Sequence, residues 1–364
     1  MTAVPSSEPL PAAPDGYPLT MTTLDGEVIE ATAAEGQSVL DAAADAGHLL
    51  PALCRKGTCG ACVATVVDGE FTLGDHSELA LSPERAASGG ALLCCTYPDS
   101  PLTISLPYER SRVLTGTISV CSATVAAIDR CTHDVVRLLL RLDVDAEDGG
   151  TAEFEPGQFA QLQIPGEEET RAYSYSNIPN WDGELEFYIR LREGGHFSTW
   201  LDRTAKTGDT LTVHGPQGAF GLVETGLRPR WFVAGGTGVS PLFSMARRMA
   251  EFQEPHALRF YLGVGGESDL FGEDVLAEVG GELPDFSVQL CVSRPCERTD
   301  VRAGSPVAAL AEDLEALRKQ DEELPDLYVC GPPGMIDAVE KVAQEAGVPI
   351  TRILSEKFSV SATA

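Results

Sequence analysis

Residues 54–62 read CRKGTCGAC, and this stretch decides how the first part of the chain folds. Its three cysteines stand in C-x4-C-x2-C spacing, and a fourth cysteine follows after 31 intervening residues. This is the ligand spacing of a plant-type [2Fe–2S] cluster, in which four thiolates hold two irons. The residues between the cysteines are mostly small, so backbone N–H groups can approach the bridging sulfurs and help to set the reduction potential. The predicted ligands are Cys54, Cys59, Cys62 and Cys94.

The fourth ligand has a competitor, because Cys95 follows Cys94 directly. Neighbours on an extended segment face opposite ways, so only one of the two can bind iron, and we predict that Cys94 does. Four structural cysteines would have to produce the spacing by accident. A zinc site fits less well, because C-x4-C lacks the paired-knuckle repeat of zinc ligands.

Around this loop, the sequence predicts a β-grasp domain over residues 17–108. Two short β runs flank an Asp-Gly turn at residues 25–26, which is a strong hairpin signal. A helix follows, and Ser38 can be its N-cap. Residues 1–16 are rich in Pro, Ser and Ala and are predicted to form a disordered tail.

Two further domains are predicted. Residues 113–225 contain short β runs separated by Gly, Pro and Asp turns, which is typical of an antiparallel barrel. Over residues 229–364, apolar strands alternate with helical stretches, which indicates an α/β domain with a parallel sheet. The chain is therefore predicted to be multidomain, with an α+β, an all-β and an α/β part.

The composition excludes several classes of protein. With 43% hydrophobic and 22% charged residues, the chain matches ordinary globular proteins. A formal net charge of −29 repels phosphate backbones and anionic lipid headgroups, so neither nucleic acid nor membrane is an expected partner. No signal peptide and no run of 18 apolar residues is recognised, so we predict a cytoplasmic protein. In that reducing compartment, ten cysteines favour metal binding over disulfides.

Residues 171–174 read RAYS, and this segment can bind a flavin dinucleotide. The arginine can pair with pyrophosphate, the aromatic ring can stack on the flavin, and the hydroxyl can hydrogen-bond flavin N5. Residues 188–190 end a later strand, and residues 194–198 can present N–H groups to phosphate at the start of a helix. A barrel strand followed by a capped helix is the alternative. The predicted FAD-binding residues are Arg171, Tyr173, Ser174, Arg190, Gly195, Phe197 and Ser198.

Two glycine-rich loops predict a nicotinamide nucleotide site. GGTGVSP at residues 235–241 lies between a predicted strand and a helix, where pyrophosphate meets helix N–H groups, although Pro241 takes the place of the third glycine of G-x-G-x-x-G. CGPPGM at residues 330–335 ends another predicted strand, so both loops are expected at one edge of the sheet. The predicted contacts are Gly235, Gly236, Thr237, Gly238, Gly331 and Pro332.

The loop at residues 263–269 bears on the choice of electron donor. It contains acids that can bind ribose hydroxyls and no Arg or Lys for a 2′-phosphate. We therefore predict NADH rather than NADPH.

With these motifs in place, nearly the whole chain resembles the reductase components of soluble methane monooxygenase and related bacterial di-iron monooxygenases, within the ferredoxin–NAD(P) reductase superfamily. The likeness is carried by CRKGTCGAC, LLCCTYP, FEPGQF, RAYSYSN, FVAGGTGVSP, YVCGPPGMIDA and the terminal EKF. It implies that Tyr173 and Ser174 lie at the flavin ring and Cys330 near the nicotinamide. It also implies that Glu356 and Phe358 lie close to the flavin. Ser174, Cys330 and Glu356 are thus the expected catalytic residues.

The resemblance implies a β-grasp ferredoxin domain, an antiparallel FAD-binding β-barrel and a Rossmann-like NAD-binding domain, in that order. The expected electron path runs from NADH to FAD, to the [2Fe–2S] cluster, and then to the di-iron hydroxylase of a soluble methane or alkane monooxygenase. The reductase of a Rieske-type ring-hydroxylating dioxygenase has the same modules in the same order and is the alternative. A redox sensor would not need an intact pair of nicotinamide loops, and NADH turnover with an artificial acceptor would exclude it.

Overall fold

The computed structural model describes residues 16–78, 80–116, 118–143, 150–223 and 226–358. They belong to two compact units, the N-terminal unit within Met1–Thr117 and the C-terminal unit within Ile118–Ala364. The tail predicted over residues 1–16 lies outside the described residues except for Gly16. Among the helices in the described ranges, none has both the length and the hydropathy that a bilayer span requires.

The N-terminal unit is built on a five-stranded mixed sheet with strand order β2-β1-β8-β4-β6. Two small two-stranded ladders, β3-β9 and β5-β7, accompany it. Short 3-10 turns cover Leu93–Cys95 and Arg110–Arg112. The strands and helices are β1 (Tyr17–Thr22), β2 (Val28–Ala33), α1 (Val39–Asp45), β3 (His48–Leu49), β4 (Val63–Asp68), β5 (Phe71–Leu73), α2 (Pro83–Ala87), β6 (Gly90–Leu92), β7 (Thr96–Pro98), β8 (Leu102–Ser105) and β9 (Leu114–Thr115).

Local sequence explains the beginning of this unit. Strands β1 and β2 form the predicted antiparallel hairpin, and Gly26 adopts a φ of +84° in its turn. Ser38 is the N-cap of α1, and its side chain accepts a hydrogen bond from the Asp41 N–H at 3.1 Å. One face of the sheet buries Leu19, Met21 and Ile29 against α1, which closes the core.

The first half of the C-terminal unit is a six-stranded antiparallel sheet of order β13-β12-β15-β10-β11-β14. The two end strands, β13 and β14, also contact each other, so the sheet curls into the predicted barrel. The elements are β10 (Val120–Arg130), β11 (Val135–Leu142), β12 (Phe159–Gln163), β13 (Thr170–Ser174), β14 (Glu184–Arg190), α3 (His196–Arg203) and β15 (Thr210–Gln217). Alternate residues, such as Phe187 and Ile189, fill the barrel core, whereas Glu186 and Tyr188 face the other side.

The second half of this unit is a six-stranded parallel sheet of order β19-β18-β17-β16-β20-β21 with helices on both faces. The elements are β16 (Arg230–Gly235), α4 (Val239–Glu251), β17 (Leu258–Val264), α5 (Glu273–Glu282), β18 (Phe286–Val292), β19 (Val301–Ala303), α6 (Pro306–Gln320), β20 (Asp326–Gly331), α7 (Pro333–Glu345) and β21 (Ile353–Lys357). The strand order reverses direction between β16 and β20, so the crevice outside their carboxyl ends is where a ligand is expected.

Candidate functional site

The cysteine loop of the N-terminal unit points backbone N–H groups at sulfur atoms. The N–H groups of Lys56 and Thr58 lie 3.4 and 3.3 Å from the Cys54 Sγ, and that of Gly57 lies 3.3 Å from the Cys94 Sγ. Gly57 has a φ of +70°, and a Cβ there would lie 2.7 Å from the Asp75 carbonyl oxygen. The loop therefore depends on a glycine at this position to bring its amides onto the sulfurs.

The four predicted ligands form two pairs of sulfur atoms. The Cys59 thiol hydrogen-bonds to Cys54 and lowers the pKa of the Cys54 thiol, and the Cys62 thiol acts in the same way on Cys94. Among the described residues, no three His, Cys, Asp or Glu side chains converge as they would on a single metal ion. Two thiol pairs, contributed by the loop at residues 54–62 and by Cys94 of the Leu93–Cys95 turn, fit a two-iron cluster held by four thiolates.

A further observation fits the same group. Thr58 lies within the loop, and its side chain hydrogen-bonds to Cys54, which lowers the pKa of the Cys54 thiol. The donors of the loop therefore suit a cluster that is held through sulfur atoms.

The segment around Cys94 differs from the sequence expectation. Leu93–Cys95 forms a 3-10 turn rather than an extended strand, so Cys94 and Cys95 do not face opposite ways. The Cys94 sulfur interacts with Cys62 first and with the Cys95 thiol second. Cys94 remains the predicted ligand because it also accepts the Gly57 N–H, and Cys95 becomes its immediate neighbour.

The predicted flavin segment is the end of strand β13. The Tyr173 ring lies 5.2 Å from the Phe197 ring, centroid to centroid. Burial raises the pKa of Tyr173, while Arg171 and Arg192 oppose that rise. Arg171 donates to the Thr170 carbonyl at 3.0 Å and pairs with Glu169 at 2.6 Å. An aromatic ring and a guanidinium group of β13, with a second guanidinium from the segment after β14, are groups that suit a flavin dinucleotide.

The residues of the second predicted flavin element, at 190–198, differ in their exposure. Gly195 is the N-cap of α3, and Phe197 and Ser198 are buried in its first turn. The backbone N–H groups of this turn are those that a phosphate would meet. Arg190 is more than half exposed and pairs with Asp134 at 2.7 Å. Arg192 was not among the predicted contacts. It interacts electrostatically with Tyr173, because Arg192 lowers the pKa of Tyr173 and Tyr173 raises the pKa of Arg192.

The two glycine loops meet at the carboxyl edge of the parallel sheet. Ala234 of β16 pairs with Cys330 of β20. A Cβ on Gly238 would lie 2.4 Å from the Cys330 carbonyl oxygen, and one on Gly235 would lie 2.8 Å from the Met335 Sδ. These loops approach each other more closely than side chains allow, and together they line one crevice at the point where strand order reverses.

Residues from both halves of the C-terminal unit converge beside this crevice. Glu356 of β21 pairs in register with Cys330 of β20, and the Ser174 Oγ at the end of β13 donates to the Glu356 Oε2 at 3.5 Å. Burial, and then the Glu356 carboxylate, raise the pKa of the Cys330 thiol, so it stays neutral near neutral pH. Phe358 follows β21, and its N–H donates to the Gly331 carbonyl at 2.8 Å. The three predicted catalytic residues are thus brought together, and their roles remain predictions.

The loop after β17 contacts an arginine that the sequence analysis did not identify. Asp269 accepts the Gly266 N–H at 2.8 Å and pairs with the Arg294 Nη2 at 2.5 Å. Arg294 follows β18, the neighbouring strand, so a reading of residues 263–269 alone could not find it. The loop itself contains no Arg or Lys, as expected, but Arg294 reaches it from the segment after the neighbouring strand.

Three family models match consecutive parts of the chain. The 2Fe-2S iron-sulfur cluster binding domain matches residues 22–99, the oxidoreductase FAD-binding domain residues 122–221, and the oxidoreductase NAD-binding domain residues 232–341. The predicted cofactors, a [2Fe–2S] cluster, FAD and a nicotinamide nucleotide, are confirmed at this level, as is the predicted fold class.

Full-length relatives have the same arrangement. The chain is 33% identical over 333 residues to the propane 2-monooxygenase reductase component of Rhodococcus jostii (strain RHA1), covering 91% of this chain and 89% of the relative. It is 34% identical to the toluate 1,2-dioxygenase electron transfer component of Pseudomonas putida, covering 90% and 94%. Among solved structures, the Amycolatopsis cytochrome P450 reductase GcoB matches with a TM-score of 0.75 and 30% identity, covering 93% of this chain and 98% of GcoB.

Proposed function

Since the chain belongs to the family of ferredoxin–NAD reductases with an N-terminal [2Fe–2S] domain, we propose that its electron acceptor is the di-iron hydroxylase of a soluble methane or alkane monooxygenase. The coarser function follows from the family: the chain is a flavin and iron–sulfur NAD(P)H oxidoreductase that passes electrons to an oxygenase component. FAD, when bound, accepts two electrons from the nicotinamide and releases them singly to the cluster.

The chain's own residues orient these groups. In the proposed site, Tyr173 and Ser174 contact the flavin, and the loops at 236–238 and 330–332 hold the nucleotide. Ser174, Glu356 and the neutral Cys330 thiol then surround the reacting atoms. Their contribution is orientation, because transfer between two stacked rings needs close contact more than acid–base chemistry.

The choice of acceptor rests on one observation, the likeness to a propane 2-monooxygenase reductase component over about nine-tenths of both chains. The alternative, a Rieske-type ring-hydroxylating dioxygenase, is favoured by the likeness to the toluate 1,2-dioxygenase electron transfer component. The modules are common to both classes, so the test has to use the acceptors themselves.

We expect the NADH-reduced chain to support alkane hydroxylation by the di-iron hydroxylase of its own organism. The measurement is alkane oxidation per NADH consumed, with the chain, NADH and the purified hydroxylase present. A Rieske dioxygenase and a cytochrome P450 from the same organism serve as parallel acceptors. Substrate turnover with either of these, and none with the di-iron hydroxylase, would overturn the proposed partner while leaving the reductase activity intact.

We further propose NADH as the donor. Glu267 and Asp269 lie at the carboxyl end of β17, where acids bind ribose hydroxyls. Arg294 lies at this loop and pairs with Asp269, which the His133 Nδ1 also approaches to 3.5 Å. A 2′-phosphate would have to compete with that carboxylate.

The donor prediction can be tested by releasing Arg294. We expect kcat/KM to be higher for NADH than for NADPH. Asp269→Ala should reduce the ratio of the two kcat/KM values by about tenfold, because the released Arg294 can bind the 2′-phosphate and a charge-assisted hydrogen bond contributes about 1.5–3 kcal/mol. The double variant Asp269→Ala, Arg294→Ala is the control, and we expect it to lose the gain with NADPH. Equal use of both donors by the unaltered chain would contradict the proposal.

A further inference from the structure

The helix that begins at the nicotinamide loop forms two side-chain hydrogen bonds to the segment that contains the predicted flavin contacts. Helix α4 (Val239–Glu251) starts directly after the Gly236–Gly238 turn. A turn and a half further along, the Ser244 Oγ donates to the Asn177 carbonyl at 2.6 Å. The Arg247 Nη1 donates to the Ser176 carbonyl at 2.8 Å. Three residues apart, these two side chains project from one face of the helix.

The backbone that receives these bonds is continuous with the predicted flavin contacts. Ser176 and Asn177 follow Tyr173 and Ser174 within the RAYSYSN segment. The same short stretch therefore carries the flavin residues at one end and holds α4 at the other. Any shift of α4 relative to this stretch would move the nucleotide loop relative to the flavin.

A buried carboxylate reinforces the attachment. Glu186 of β14 is only 3% exposed, and its Oε1 accepts from the Arg247 Nη1 and from the Ser176 Oγ, each at 2.7 Å. Its Oε2 accepts from the Arg137 Nε at 2.6 Å. A buried charge is tolerated only with such a complete set of partners, because an unpaired one is strongly destabilising.

The electrostatics agree with this geometry. Desolvation alone would raise the pKa of Glu186, yet Arg247, with help from Ser176 and Arg137, more than offsets it, so the pKa lies below its ordinary value. Glu186 is therefore ionised in the folded chain at neutral pH, and its Oε1 lies 2.7 Å from the Arg247 Nη1.

An apolar contact lies beside the ion pair. Tyr188 is two residues from Glu186 on the same face of β14, and its ring lies 5.7 Å from Phe243 of α4 and 5.4 Å from Phe271. Burial of these rings stabilises the packing of the barrel against the helix, but the hydrophobic effect is not directional. Direction comes from the Arg247 guanidinium, because its Nη1 donates to both the Ser176 carbonyl and the Glu186 Oε1.

We propose that Arg247 is a positioning residue for the transfer of electrons from the nicotinamide to the flavin. Through its bonds to Glu186 and the Ser176 carbonyl, it holds α4, and with it the loop at 236–238, at one distance from Tyr173 and Ser174. The inference rests on the proposed assignment of those residues to the nucleotide and the flavin. Arg247 is not one of the residues assigned to the flavin or the nucleotide, and it acts by joining α4 to the backbone of Ser176.

The test compares Arg247→Met with Arg248→Gln under anaerobic conditions. Arg248 is the next residue of α4, lies over the Phe252 ring and pairs with Glu251 at the surface, so its variant controls for any change to the helix. The readouts are FAD content, NADH affinity, the rate of flavin bleaching, and the long-wavelength absorbance that stacked nicotinamide and flavin produce. The last of these reports ring geometry, which a loss of stability alone does not change.

For Arg247→Met we expect FAD content and NADH affinity near those of the unaltered chain, weaker long-wavelength absorbance, and flavin bleaching slowed by about tenfold or more, since a misplacement of about 1 Å can cost about 10²-fold. We expect Arg247→Lys to recover part of the rate and Arg248→Gln to match the unaltered chain. Bleaching by Arg247→Met at the unaltered rate, with unaltered absorbance, would overturn the proposal.

Two more variants decide the matter if Arg247→Met does not fold. Ser244→Ala removes the bond to Asn177 without exposing a charge, and Glu186→Gln with Arg247→Gln removes both buried charges together. We expect both to fold and to bleach slowly, and unaltered rates in both would overturn the proposal. If NADH did not bleach the flavin of the unaltered chain, the proposed function itself would be refuted. The test therefore distinguishes failure of the proposed function from failure of the role proposed for Arg247.

Discussion

Cys59→Ser is expected to abolish electron transfer to the oxygenase while leaving reduction of artificial dyes by NADH intact. Cys59 is buried, and its thiol forms one sulfur pair with Cys54. Loss of a partner that only orients a metal ligand already costs about 10- to 100-fold in metal affinity or activity, so loss of a ligand should exceed this. Dye reduction depends on the flavin and nucleotide residues of the other unit and should stay near normal.

The measurements are the visible and electron paramagnetic resonance spectra of the cluster, followed by NADH consumption with a dye and with the oxygenase. Cys95→Ser is the matched control, because Cys95 is also buried and lies against Cys94. We expect that variant to keep its cluster. Transfer by Cys59→Ser at the normal rate would refute the electron path, and loss of the cluster in Cys95→Ser alone would move the fourth ligand to Cys95.

Short-range features of the chain could be predicted because local chemistry determines them. The Asp-Gly turn, the Ser38 cap and the alternating barrel strands depend on neighbours within a few residues, and the structure has each of them. A helix was expected directly after the strand and loop at residues 235–241, and α4 is observed at Val239–Glu251. The glycine loops were predictable together because parallel strands end at one edge of a sheet.

Contacts between distant segments could not be predicted in the same way. Residues 188–190 were expected to end a strand, but the packing of the Tyr188 ring against Phe243 of α4 could not be foreseen. Arg294 reaches a loop that the preceding strand contributes. Both outcomes depend on which strands become neighbours, and no local spacing encodes that order. The 3-10 turn at Leu93–Cys95 is a further case, since a two-residue pattern does not distinguish it from a strand.

Gly238→Ala is expected to stop reduction of the flavin by NADH almost completely while FAD remains bound. Gly238 has a φ of −61° and a ψ of −6°, which alanine adopts without strain, so backbone conformation does not require a glycine here. The requirement is space, because the new Cβ would lie 2.4 Å from the Cys330 carbonyl oxygen and 2.8 Å from the Gly331 Cα. Backbone atoms of a buried strand end cannot rotate away as a side chain would. The two loops must therefore separate, and a shift of about 1 Å can cost about 10²-fold in rate.

Gly334→Ala is the matched control, because that glycine lies in the first turn of α7 beside the same crevice and a Cβ there would meet nothing within 4 Å. The measurements are FAD content, thermal stability and the anaerobic rate of flavin reduction by NADH. We expect Gly238→Ala to lose about 1–3 kcal/mol of stability from overpacking. Reduction by dithionite should be normal in both variants, because dithionite bypasses the nucleotide site. If Gly238→Ala were reduced by NADH as fast as Gly334→Ala, the crevice between these loops would not be the nicotinamide site, and the nucleotide would have to bind elsewhere on the sheet.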